Sequence, residues 1–251
     1  MLLLAFDTAT PAVTVALNDG MRVLAVQNAV GARRHGELLA SMIEQVLAAG
    51  GLGRADLEAI AVGTGPGPYT GLRAGLVTAR VLASALRVPA VGVCTLDVMA
   101  CTAAPAAGGR EFIVAADARR KEVYWARYAP TGERISGPAV GPPGAIAQAD
   151  VTSAGISVSC PVAGEGPVLY PELAACPIPP RYPDAAQLAR IAAQRLASGA
   201  ASGPPEPLYL RRPDAREPGQ PKRVTPAVSE PEGEGGTGRR AGSRRRSGSM
   251  P

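Results

Sequence analysis

Histidine and aromatic residues are scarce in this chain, and each scarcity excludes a class of functional site. The one histidine, His35, cannot build a metal site that needs several imidazoles. Aromatic residues make up 4% of the sequence, too few for a platform that stacks single-stranded nucleic acid. None of the four cysteines has a second cysteine at CxxC spacing, so we predict free thiols in a reducing compartment.

Long apolar runs are also missing. The apolar N-terminus reaches Asp7 after six residues, which is too short for a signal peptide. No later run is long enough to cross a membrane. We therefore expect a cytoplasmic protein without membrane contact.

Charge divides the chain into a nearly neutral part and a basic tail. Residues 216–251 carry eight Lys or Arg against four Asp or Glu, which is +4 of the total net charge of +5. That segment is rich in Gly, Pro, Ser, Glu and Arg, so we predict a disordered tail. The remaining sequence offers no basic face for nucleic acid.

Apolar periodicity predicts two lobes built from strands and helices. We expect residues 1–110 to form an N-terminal lobe and residues 111–215 to form a smaller C-terminal lobe. Broad apolar stripes predict a first helix over His35–Ala49 and a second helix over Gly71–Leu86. We also predict a last helix over 184–198. The sequence leaves open whether it packs on its own lobe or back on the first lobe.

The two predicted lobes begin alike. Asp7 ends an apolar run and Val13 starts the next predicted strand six residues later, and Asp117 and Val123 repeat that spacing. The match favours a duplicated α/β fold over chance, although strand, aspartate, turn and strand is a common order. Each aspartate is either a turn residue that bonds its own backbone or a carboxylate that orients a metal–nucleotide complex.

A glycine-rich turn, Gly63–Pro68, lies between a predicted strand and the second helix. Four glycines and two prolines within Gly63–Gly71 exclude regular structure and let the backbone approach a neighbour closely. A strand, a glycine turn and a helix start are also the usual geometry for holding an anion. We expect that this turn mainly presents the second helix to another protein.

Small residues lie along one side of the second helix at four-residue spacing: Gly71, Gly75, Ala79 and Ala83. They allow close approach by another backbone. The alternative is tight packing on the chain's own sheet or on the first helix, and we favour a partner protein. The predicted interface comprises His35, Leu38, Leu39, Met42, Val46, Gly71, Leu72, Gly75, Ala79, Leu82 and Ala83.

Four motifs in this order resemble the TsaB (YeaZ) family. They are LAFDTATP at Leu4–Pro11, GTGPGPYTGLR at Gly63–Arg73, DARRKEVY at Asp117–Tyr124 and PLYLR at Pro207–Arg211. The resemblance extends to about residue 215. It implies a duplicated, two-lobed α/β fold of the actin, Hsp70 and sugar-kinase type, with mixed sheets flanked by helices.

The resemblance also implies a set of partners. TsaB is the accessory subunit that pairs with TsaD, which transfers a threonylcarbamoyl group to the adenosine beside the tRNA anticodon. In that family the first two helices of each partner form the pairing bundle, and TsaE is the third subunit. We expect a homodimer when the chain is alone, and contact with tRNA only through the complex.

Catalytic activity is not expected. TsaD carries a His-x-x-x-His metal pair, and Thr95 and Met99 stand at the corresponding positions here. A hydroxyl and a thioether cannot hold a metal as two imidazoles do, so we predict no metal, no cofactor and no transferase or peptidase activity. The loops of a vestigial nucleotide site would contain Asp7, Thr8, Gly65, Gly67, Asp117, Gly164 and Gly166.

Two functions of other classes remain as alternatives. An ATP-dependent small-molecule kinase would use Asp7 and Asp117. A serine protease would need His35 as its base, because the chain has no other histidine. His35 follows Arg33 and Arg34, whose charge would make it a poorer base, so we favour a residue that packs or caps at a helix start.

Overall fold

The computed structural model describes residues 1–31, 35–144, 146, 160–173, 176–200 and 204–211. The predicted tail at 216–251 lies outside the described residues. Within Met1–Arg212 the chain builds two five-stranded sheets.

The first sheet forms around a short, buried central strand that is apolar up to its last residue, Asp7. Its strands are β1 (Leu3–Asp7), β2 (Ala12–Asn18), β3 (Val23–Val30), β4 (Ala59–Gly63) and β5 (Ala90–Val93). Their order is β3-β2-β1-β4-β5, and β1 runs antiparallel to β2 and parallel to β4. Strands β1 and β4 are buried along their whole length, as expected for strands that are covered on both faces.

Helices cover both faces of the first sheet. The α-helices used below are α1 (His35–Gly50), α2 (Tyr69–Leu86), α3 (Thr95–Ala103), the short α4 (Gly166–Leu169) and α5 (Ala185–Ala197). Successive side chains of a strand point to opposite faces. Leu4 and Phe6 therefore pack in one core with α1 and α2, whereas Leu3 and Ala5 pack in another with α5.

The second sheet repeats the strand order of the first. It contains β6 (Phe112–Asp117), β7 (Val123–Tyr128), β8 (Arg134–Gly141), β9 (Pro161–Ala163) and β10 (Cys176–Ile178). The order β8-β7-β6-β9-β10 matches β3-β2-β1-β4-β5 position by position. The central strand β6 is antiparallel to β7 and parallel to β9, which is the arrangement of β1 between β2 and β4. The fold is therefore duplicated, as the spacing of Asp7 and Asp117 predicted.

Helix α3 packs against both sheets, and no sequence pattern predicted it. It starts directly after β5, and its buried Leu96 and Met99 pack with Phe112 and Tyr128 of the second sheet. Its Val98 faces the core shared with α5 instead. A helix of nine residues with apolar side chains on several sides gives little periodic signal, because it is surrounded by protein.

The small residues of α2 face the interior, which corrects the prediction that they form a stripe open to a partner helix. A β-carbon added at Gly71 would lie 2.5 Å from the carbonyl oxygen of Thr8, and one at Gly75 would lie 2.5 Å from the Thr8 hydroxyl. Ala79 and Ala83 are buried in the same core. The close approach that these residues allow is made by the chain's own β1–β2 turn.

We predict that Gly75→Ala destabilises the fold. The added methyl group would collide with the Thr8 hydroxyl, and overpacking of this kind costs about 1–3 kcal/mol. Gly36→Ala is the matched control, because nothing lies within 4 Å of a β-carbon at that helical glycine. Thermal unfolding should give a lower Tm for Gly75→Ala and an unchanged or higher Tm for Gly36→Ala. Equal Tm values would contradict the inward orientation of the stripe.

Candidate functional site

The Asp7 carboxylate is enclosed by the protein at the end of β1. Its side chain has no exposed surface. One oxygen accepts a hydrogen bond from the Ala9 amide at 2.7 Å and the other accepts one from the Thr95 hydroxyl at 2.7 Å. A β-carbon at Gly63 would lie 1.8 Å from the carboxylate, so only glycine leaves room for it. Both oxygens are thus engaged within the chain, which supports the turn interpretation of Asp7.

Burial is the largest influence on the pKa of the Asp7 carboxyl group. It raises the pKa of Asp7, although the hydrogen bonds from Ala9 and Thr95 and the nearby His35 act in the opposite direction. The charged form is therefore less favourable in the folded protein than in water.

The glycine turn is closed by the start of α3. The Thr95 hydroxyl accepts a hydrogen bond from the Gly65 amide at 3.1 Å, and the Thr95 amide donates to the Gly65 carbonyl at 2.8 Å. The Thr64 amide donates to Val93 at 2.8 Å. Two amides that could hold an anion in an open glycine turn are therefore used within the protein.

The corresponding turn of the second sheet holds a carboxylate of its own. Gly164 packs against the Ala115 carbonyl, 2.1 Å from where its β-carbon would be. Glu165 follows it, is largely buried, and accepts hydrogen bonds from Arg181 at 2.8 Å and from the Tyr182 hydroxyl at 2.7 Å. Its second oxygen has no hydrogen-bond partner among the described residues. Burial and this carboxylate raise the pKa of Tyr182 to about 12.

Asp117 is engaged locally as well. It accepts a hydrogen bond from the Arg119 amide at 2.8 Å, and its carboxylate pairs with the Arg119 guanidinium at 3.1 Å. Arg119, Arg120 and Lys121 all have positive φ angles near 60°, so the turn after β6 is left-handed. Asp117 thus stabilises an unusual turn, as Asp7 does through the Ala9 amide at the end of β1.

His35 holds the start of α1. Its Nε2 lies 2.9 Å from the Thr10 carbonyl oxygen. Because a carbonyl can only accept, Nε2 is the donor. The ring therefore links α1 to the β1–β2 turn, in agreement with a residue that packs at a helix start.

The predicted interface lies mostly inside the subunit. Most of its members are buried: Leu39, Met42, Val46, Gly71, Leu72, Gly75, Ala79 and Ala83. The partly exposed members are His35, Leu38 and Leu82.

A different side of α2 is exposed, and it was not part of the predicted interface. Tyr69 is 51% exposed, Val77 58% and Val81 59%. With Arg73 they stand four residues apart, so they form one ridge along the helix, which we call the α2 ridge. Three of its four members are large apolar or aromatic residues, which distinguishes it from an ordinary charged helix surface.

Comparisons with known proteins agree with this architecture. A family model described as TsaD, tRNA N6-adenosine threonylcarbamoyltransferase, matches residues 26–163. The uncharacterized protein Rv3421c of Mycobacterium tuberculosis is 43% identical over 219 residues, which is 85% of this chain and 93% of that protein. The tRNA threonylcarbamoyladenosine biosynthesis protein TsaB of Escherichia coli is 40% identical over 129 residues, 51% of this chain and 55% of that protein.

A solved structure shows the same fold. YeaZ from Pseudomonas aeruginosa superimposes with a TM-score of 0.71 at 31% identity, over 83% of this chain and 99% of that one. The two mixed five-stranded sheets of matching strand order and their flanking helices define a duplicated α/β protein with the fold of YeaZ. The chain belongs to the TsaB (YeaZ) family, which confirms the resemblance carried by the four motifs.

In the part of the chain that the structure describes, each helix is too short or too polar to cross a bilayer.

We predict that the stability of Asp7→Asn relative to the unchanged protein rises with pH. Because the folded-state pKa of Asp7 is raised, the carboxylate costs stability increasingly as the pH rises from about 3.8 through the folded-state pKa. The asparagine variant lacks that cost, so its Tm minus the Tm of the unchanged protein should increase between pH 4 and pH 8. A difference that decreases with rising pH would contradict the raised pKa of the buried Asp7 carboxyl group.

Proposed function

We propose that this chain is a non-catalytic subunit of tRNA threonylcarbamoyladenosine biosynthesis that docks on TsaD. Family membership supports the process, because the relatives from Escherichia coli and Haemophilus influenzae are named as TsaB proteins of that biosynthesis. The single observation that carries the docking is the α2 ridge, an exposed and largely apolar row on an eighteen-residue helix.

The docking face differs from the one first predicted. Its centre is Val77 and Val81, whose side chains are more than half exposed. Exposed positions of α1 include Ala40, Ser41 and Ala48, which are short enough to let a second helix lie close. Burying an exposed valine contributes about 1 kcal/mol, so the ridge needs neighbouring contacts to make a stable pair. A total interface of roughly 1,200–2,000 Å² would be ordinary.

The absence of catalysis is supported by the environment of four described residues. Thr95 and Met99 replace the expected metal pair, and both are fully buried on α3. Asp7 and Asp117 accept hydrogen bonds from their own turns. An ATP-dependent kinase would need at least one of these carboxylates to face a nucleotide–metal complex. The subunit would therefore act by binding, with TsaE as a third component, tRNA held through the complex, and a homodimer in the absence of TsaD.

The decisive experiment places a charge on the α2 ridge. We expect Val77→Asp together with Val81→Asp to weaken TsaD binding by about a hundredfold, because two carboxylates would have to be desolvated in an apolar contact. Val168→Asp is the matched control, since Val168 is 53% exposed on another helix. Binding is measured by titration of purified full-length chain with TsaD, and tRNA modification is assayed in the reconstituted mixture.

Each outcome has a clear meaning. Loss of binding and of modification in the double variant alone supports the proposal. Unchanged TsaD binding in the double variant would place the docking face elsewhere. Tight, magnesium-dependent ATP binding by the chain alone would favour the kinase. Modification of tRNA by the chain without TsaD would refute the non-catalytic role.

A further inference from the structure

We infer that Arg73, held between Tyr69 and Tyr209, is the polar anchor of the α2 ridge and binds a carboxylate of the partner protein. This inference rests on the proposed function, because it assigns a role within the same docking face. It concerns a cluster that joins α2 to the segment Pro204–Arg211, which we call the C-terminal strap.

Arg73 is fixed by two aromatic side chains. Its guanidinium carbon lies 3.8 Å from the centre of the Tyr69 ring, and its Nε donates a hydrogen bond to the Tyr209 hydroxyl at 3.1 Å. The two rings are themselves in contact, with centres 5.4 Å apart. An exposed arginine normally samples many rotamers, and here stacking and a hydrogen bond restrict them before any partner arrives.

The charge of Arg73 has no counterpart in the described part of the chain. Its Nη groups make no hydrogen bond or ion pair there, whereas Arg54, Arg119 and Arg181 each pair with a carboxylate. Helix α2 contains no Asp or Glu. Arg80, two turns further along, is engaged differently, since it donates to the Pro205 carbonyl at 2.6 Å. Arg73 is therefore the free cation of the ridge among the described residues.

A carboxylate is the group that suits this arrangement. With Nε occupied, the two Nη groups still present a planar pair of donors, which matches the two oxygens of Asp or Glu. Val77 lies one turn away, so an apolar contact there would shield the ion pair from water. A partially desolvated pair of this kind contributes more than a surface salt bridge.

The C-terminal strap holds Tyr209 in position. Its Leu208 amide donates to the Thr64 carbonyl in the glycine turn at 2.9 Å, and Arg211 donates to the Ala118 carbonyl at 3.2 Å and pairs with Glu122. The strap is thus tied to both sheets on either side of Tyr209. The PLYLR motif therefore places the Tyr209 ring against Arg73, and its residues Leu208 and Arg211 fix the backbone on either side.

The test measures the affinity of the full-length chain for TsaD. We expect Arg73→Gln to raise the Kd at least about tenfold, and Arg73→Lys to recover only part of that loss because lysine lacks the stacked, forked geometry. The Kd of the unchanged protein should rise more steeply with salt than that of Arg73→Gln, since screening removes what the variant has already lost. Arg87→Gln, an exposed arginine at the end of α2, is the control and should leave the Kd unchanged.

The strap is tested separately. Tyr209→Phe keeps the ring contact and removes the hydrogen bond, so we expect a smaller rise in Kd than for Arg73→Gln. A Kd for Arg73→Gln equal to that of the unchanged protein, with the Val77 and Val81 double variant still defective, overturns the anchor and leaves the proposed function intact. Unchanged binding in all of these variants overturns the docking face itself. Normal TsaD affinity in Arg73→Gln with weakened tRNA binding by the complex would assign Arg73 to phosphate and also overturn the inference.

Discussion

The structure depends on one crowded contact, in which a buried carboxylate occupies the space that a side chain at position 63 would fill. The Asp7 carboxylate bonds Ala9 and Thr95, and Gly63 leaves room for it. Thr95 in turn closes the glycine turn from which α2 starts. The end of β1, the turn and the first residue of α3 are therefore one unit, and the direction in which α2 leaves the sheet follows from it.

The two copies of the sheet share one strand order but differ in the turns and helices that follow their strands. Each central strand ends in an aspartate that stabilises the following turn. After β4 the chain forms an eighteen-residue helix, whereas after β9 it forms a helix of four residues. The second turn also places Glu165 against Arg181 and Tyr182. In both copies the aspartate that ends the central strand accepts its hydrogen bonds from the protein itself, which is consistent with a scaffold that binds through its surface.

Sequence periodicity predicted α1, α2 and the duplication, because these depend on patterns that the chain carries locally. It gave no bounds for α3, whose apolar side chains face several sides, or for β9 and β10, which have three residues each. The eight-residue β8 has exposed or half-buried residues and no buried stripe, so it too carries little periodic signal. Periodicity also selected the wrong side of α2. Gly71 and Gly75 permit close approach by any backbone, and only the contact with Thr8 identifies which one is present. Leu72 and Val77 are equally apolar in sequence, although the first is buried and the second exposed. The pairing of Arg73 with Tyr209 joins residues 136 positions apart, so no local signal could reveal it.

The unequal helices of the two repeats leave the molecule with helical surfaces that are not equivalent. Among the described residues, the eighteen-residue α2 of the first repeat carries an exposed apolar row, whereas the four-residue α4 of the second repeat spans a single turn. A subunit that contacted two neighbours through equivalent helices would need both copies of that row, and a helix of one turn is too short to supply the second copy. The internal symmetry of the strands is therefore not continued in the helical surface.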